Sequence, residues 1–176
     1  MKNIFLFLVI FASCKSFEKE TAAVNELASS WESLTANANG FSEMLNFANA
    51  DYTEKIASVA IDSVAFNALS EEEQSNIITA KNNFMEVGAD LSTLTNEFGK
   101  LMEDYNAKSD QVMILKELPA TQSFTENTLS EVNEITDFVS EADEDLGQFK
   151  ESLESLKGKL ASTHSDLMSL MTEITI

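Results

Sequence analysis

Apolar residues recur along this chain at steps of three and four, the spacing that lines one face of an α-helix. Val24, Leu27, Trp31 and Leu34 set the pattern and predict a first helix over Glu18–Asn37. Asn39-Gly40 then predicts a break or kink. A second helical stretch is expected from Phe41 to Leu69, striped by Leu45, Ala48, Tyr52, Ile56, Val59, Ser63 and Phe66. Ser70 with Glu73 forms a capping box, and Glu71, Glu72 and Glu73 complement the dipole of the helix they open. That third helix repeats Ile77, Ala80, Phe84, Val87, Leu91, Leu94, Phe98, Leu101 and Tyr105. It continues through Val112 and Leu115 to Leu118, where Pro119 is expected to stop it. Ser123 with Glu126 predicts a second capping box. The helix it opens carries Val132, Ile135, Val139, Ala142, Leu146, Phe149, Leu153, Leu156, Leu160, Thr163, Leu167, Leu170 and Ile174.

The three arms come out near equal, about 50 residues each, joined by two short turns. The expected fold is all-α: an elongated antiparallel up-down-up bundle, its first arm kinked near Gly40, with coiled-coil-like packing. Phe and Tyr alternate with Ala in the stripes, which suits interdigitation in a bundle better than a two-stranded zipper. A four-helix bundle with a sharp turn at Asn39-Gly40 is the alternative. With one proline and five glycines in 176 residues, long helices meet few interruptions.

The start of the chain follows a different rule. Lys2 precedes an unbroken apolar run from Ile4 to Ala12, closed by Ser13 and Cys14. A basic start, an apolar centre and small residues before the end make a secretory signal. The run is about half the ~20 residues that a membrane-spanning helix needs. Ala12-Ser13-Cys14 resembles the lipobox of bacterial lipoproteins, although Phe11 stands where an aliphatic residue is usual. The resemblance implies removal of residues 1–13, acyl chains on Cys14, and a place in the bacterial cell envelope, at the outer membrane, on its periplasmic side or at the cell surface. Residues 14–19 would then be a lipidated tether, and 20–176 a single helical domain. Each buried methylene contributes about 0.8 kcal/mol, so two or three acyl chains make a firm anchor.

Composition narrows the remaining functions. Thirty acidic residues face eleven lysines and no arginine, a net charge of −19. This field repels phosphates, which excludes a nucleic-acid partner and leaves membrane attachment to the acyl chains. Cys14 is the sole cysteine, so no disulfide framework is available.

Candidate chemistry is sparse. His164 is the only histidine, and Ala161 stands three residues before it, so the paired Glu-x-x-His motifs of a di-iron bundle are missing. No Gly-x-Ser-x-Gly elbow accompanies the abundant serine. Asp143, Asp145 and Glu154 fall at positions one, three and twelve of a calcium loop, but Gly147 takes position five and Gln148 position six. No metal, cofactor or catalytic residue is expected. Trp31 and most methionines lie at or beside the stripes and read as core. Met168, Met171 and Ile174 near the C-terminus are the exception, an expected contact tip for an envelope protein partner. The expectation is therefore a lipid-anchored, non-enzymatic spacer or protein-interaction module. The alternative is a small-ligand or metal-binding periplasmic bundle whose core opens at Ala80 or Ala142.

Overall fold

The computed structural model describes residues 17–174. The signal over 1–13 and Cys14 lie outside the described residues, as does the side chain of Ile174. Four helices follow in order: α1 (Glu18–Ser58), α2 (Ser63–Asn67), α3 (Glu71–Thr121) and α4 (Thr128–Ile174). No strand occurs among the described residues. The three long helices pack against one another around one core, and α2 folds into the α1–α3 connection. The result is the all-α, up-down-up bundle that the stripes predict. At 1.5 Å per residue, α3 with its 51 residues is about 77 Å long.

Aromatic layers show how the arms are aligned, each drawing one ring from each arm. Trp31 stacks on Tyr105 with centroids 4.4 Å apart and planes at 16°, and meets Phe138 at 6.2 Å. Phe41 packs edge-on to Phe98 at 5.0 Å and tilted to Phe149 at 5.8 Å. Phe84 lies between Tyr52, at 5.3 Å, and His164, at 5.7 Å. Numbers rise together in α1 and α4 and fall in α3, as antiparallel packing requires. Such ring pairs add about 0.5–1.5 kcal/mol each beyond the area they bury.

The stripes form the core. In α4, Val132, Ile135, Val139, Ala142, Leu146, Leu153, Leu156, Leu160 and Leu167 are all buried. One gap in α3, between Tyr105 and Val112, falls at Lys108. Its stem stays inside while its ammonium lies 5.6 Å from the centre of the Phe138 ring and 3.1 Å from Glu134. The first layer also holds a polar chain. The Thr35 hydroxyl donates to the Trp31 carbonyl at 2.7 Å, which leaves it to accept from the Tyr105 hydroxyl, also at 2.7 Å.

Three expected boundaries move. α1 runs unbroken through Asn39-Gly40, which also removes the four-helix alternative hinged there. Leu34, Ala38, Phe41 and Leu45 continue the 4-3-4 spacing across that pair, and all four are buried. A mid-helix glycine costs about 1 kcal/mol, whereas burying a phenylalanine contributes about 1.5–3 kcal/mol. Packing wins.

The interruption falls later, at residues 59–62, where Val59 is extended and Asp62 caps α2 by accepting from Val64 N at 2.7 Å and Ala65 N at 3.1 Å. Ser63, expected in the stripe, is exposed in that first turn. The stripe has already thinned by then: Lys55 holds a core-phase position and Ile56 is exposed.

Pro119 lies inside α3 rather than beyond it, and the helix ends at Gln122 in the left-handed region with φ 51°. Half-buried Leu118 holds that last turn against the core. The proline forfeits the bond to the carbonyl four residues back and crowds that carbonyl, a cost confined to the last turn.

The start of α4 is set by Thr125 and Thr128, two residues after the expected Ser123–Glu126 box. Thr125 N donates to Thr128 Oγ1 at 2.9 Å, and Thr125 Oγ1 accepts from Asn127 N at 3.3 Å. Phe124 packs on the core, which draws the turn inward and delays the cap. The Ser70–Glu73 box forms as expected, with Ser70 N donating to Glu73 Oε2 at 2.8 Å and Glu73 N donating to Ser70 Oγ at 3.3 Å.

Candidate functional site

The two ends of the bundle differ in what they bring together. At one end the ring of Phe17, which caps α1, packs on Phe124 of the α3–α4 turn at 5.1 Å. Cys14 stands three residues before Phe17 in the chain. Three residues of chain reach at most about 10 Å. At the other end lie the α1–α3 connection, α2 and the last turns of α4. Val59, Ile61, Phe66 and Leu69 fold back there onto the core.

The expected contact tip belongs to that second end. Met168 and Met171 are both half-buried, and Met171 and Leu170 pack against the core beside fully buried Leu167. Val64 of α2 is the most open large apolar side chain among the described residues, at 78% exposure. Nothing in the sequence pattern singled it out, because α2 is too short to show a period.

Open grooves run between the arms among the described residues, and three of them carry polar linings. One of about 480 Å³ lies between α3 and α4 and is lined by Asp90, Glu97, Glu151 and Lys159 among others. A second, of about 380 Å³, separates α1 from α4 beside Ser33, Ser140 and Asp143. The third, of about 270 Å³, contains Ala80 together with Asn83, Thr163 and Asp166. It opens where a small residue takes a core position. Ala142 is fully packed.

His164 is engaged in structure. Its Nε2 lies 3.2 Å from Ser58 Oγ, across the α1–α4 seam, and its ring tilts against Phe84. No group of three or more histidine, cysteine or acidic side chains lies close enough to hold a metal among the described residues. Residues 141–154 are continuous helix, so Asp143, Asp145 and Glu154 stand on a helix surface rather than in a loop. Asp143 accepts a hydrogen bond from Asn37 Nδ2 at 2.9 Å.

Two carboxylates have pKa values below the ordinary 4.5. A hydrogen bond and the charge of Lys116, 2.8 Å away, hold Glu32 down. Hydrogen bonds from the Ser70 hydroxyl and backbone hold Glu73 down. Both are fully solvated capping or cross-arm contacts. Among the described residues, no helix is long and apolar enough to cross a membrane. No protein-family model, curated protein or solved structure matches this chain.

Proposed function

We propose that this protein is a lipid-anchored, non-enzymatic helical rod of a bacterial envelope, acting as a spacer or protein-interaction module. One juxtaposition supports the reading. Cys14 of the Ala12-Ser13-Cys14 signal is three residues before Phe17 in the chain, and the ring of Phe17 packs at one end of the bundle, while α4 delivers Met168 and Met171 to the opposite end. An acylated Cys14 would hold the Phe17–Phe124 end within about 10 Å of the lipid. The 47 residues of α4 would then carry its far end about 70 Å outward. The acidic exterior adds no adhesion to anionic lipid, so the sulfur-linked chains supply the membrane affinity.

The second reading, a ligand-binding bundle, draws on the groove at Ala80, whose Asn83, Thr163 and Asp166 could hydrogen-bond a small polar molecule.

Replacing Cys14 with serine tests the anchor. The wild-type chain is expected to incorporate labelled fatty acid and sediment with membranes, and Cys14→Ser to do neither. Labelling that persists in the variant would sink the reading. For the rod, small-angle scattering of the chain is expected to give a maximum dimension of at least about 70 Å. A panel of small polar ligands and metals that shifts the melting temperature would move the balance to the groove.

A further inference from the structure

The surface of this acidic molecule is not evenly acidic. The contacts between Asn49 and Thr95, between Tyr52 and Phe84, and between Glu32 and Lys116 identify the seam where α1 meets α3. Residues one or two heptads from these, and those just outside them, form the outer face of that seam. From Asn39 to Ala57 on α1 and from Gln74 to Gly99 on α3, the seam positions carry no carboxylate and one charge, Lys81. The chain holds thirty acidic residues, and two in this stretch of α3, Asp90 and Glu97, line the opposite seam facing α4. Ile56, Ile78 and Met85 belong to the carboxylate-free face and are 37%, 50% and 46% exposed. Gly88 stands among them, under the ring of Tyr52.

We propose that this face binds a second copy of the chain, side by side. A strongly basic partner would be recognised by carboxylates, and here there are none. A surface of the same kind is its natural complement, and a second copy supplies one through an isologous two-fold contact. It is also a stretch where two molecules of charge −19 can touch without setting carboxylate against carboxylate.

The geometry suits a two-fold axis along the rod. Ring layers pair Tyr52 with Phe84 and Trp31 with Tyr105, so Ile56 is level with residues near 80 of α3. Under that axis α1 of one copy faces α3 of the other, and Ile56 meets Ile78 and Met85 across the contact. A patch about 30 Å long and two helices wide covers about 600 Å² per copy, at the lower end of specific interfaces. Lys81 has a long stem that carries its ammonium to the rim. The dimer does not depend on the anchor at Cys14, although parallel rods anchored at one end would present these faces to each other.

Because no ion pair spans the contact while both copies repel, salt strengthens this association instead of weakening it. The test is thiol cross-linking in whole lysate of cells producing the full chain with Ser92→Cys, a seam-face position. A short bis-maleimide is added at about 0.05 M and about 0.5 M salt. A band at twice the chain mass is expected, several-fold stronger than from wild type, whose only cysteine is Cys14, and stronger at the higher salt. Adding Ile78→Asp with Met85→Asp is expected to reduce it about tenfold or more. Ile114→Asp, 65% exposed on the α4 side of α3, is expected to leave it unchanged. Both aspartate sites face outward, so an unchanged helical circular-dichroism signal accompanies the loss. The salt response reads the same question without touching the face. No excess band, a band of another mass, a band weakened by salt, or one that survives the paired aspartates would overturn the proposal. Loss of lipid labelling in Cys14→Ser leaves these outcomes unaffected, so the two proposals fail independently.

Discussion

The ring of Tyr52 lies directly over Gly88, so close that a β-carbon on residue 88 would overlap the phenol. A glycine in mid-helix ordinarily lowers stability, and alanine in its place recovers up to about 1 kcal/mol. At this site the sign is expected to reverse. Gly88→Ala must push Tyr52 off the ring of Phe84, and such overpacking costs about 1–3 kcal/mol. In a Tyr52→Ala background the obstruction is gone and Gly88→Ala becomes stabilising. Urea denaturation of the four chains measures the coupling, and purely additive effects would rule out the contact.

Gly40 poses the opposite case. Nothing lies within 4 Å of where its β-carbon would stand, and α1 is continuous around it. Gly40→Ala is therefore expected to stabilise the bundle by about 0.5–1 kcal/mol. A destabilised Gly40→Ala would show that residue 40 needs a conformation alanine disfavours.

The pair of hydroxyls at Thr35 and Tyr105 ties α1 to α3 inside the Trp31 layer. Tyr105→Phe keeps the stack on Trp31 and removes the one bond, an expected loss of about 1 kcal/mol. Phe41→Ala, in a fully buried site at the centre of the next layer, is expected to cost about 3–5 kcal/mol. Equal losses from the two variants in chemical denaturation would contradict the layer description.

Capping at Ser70 makes stability depend on pH. The folded-state pKa of Glu73 is depressed below the ordinary 4.5 by the Ser70 hydroxyl and backbone. A depressed carboxyl contributes stability that is present above its unfolded pKa and lost as pH falls through the folded one. Glu73→Gln is therefore expected to melt below wild type at neutral pH, and the gap to close as the pH drops below about 4.5. Melting curves from pH 7 to pH 3 measure it. A gap that widens on acidification would refute the assignment.

Much of the fold was legible in the pattern of residues because a bundle needs little else. Apolar positions at three- and four-residue spacing must be buried, and three such stripes of similar length with two short connections leave few ways to do it. The α4 register, the Ser70–Glu73 box and the core from Val24 to Leu34 follow from local spacing and local hydrogen bonding alone. What local rules missed was decided by packing at a distance. Asn39-Gly40 reads as a break until Phe41 is seen between Phe98 and Phe149. Pro119 reads as a stop until Leu118 is seen held by the core. Thr125 displaces Ser123 as the cap because Phe124 turns inward. The carboxylate-free face needed the structure as well. Its residues look like scattered neutral positions along two separate segments, and become one surface only when antiparallel packing sets α1 beside α3. By itself the sequence determined most of the residues that must be hidden, since helical periodicity is local, but not the loss of the stripe at Ile56 and Ser63. Only the tertiary structure decided where helices end and which exposed residues share a face, because both depend on neighbours distant in the chain.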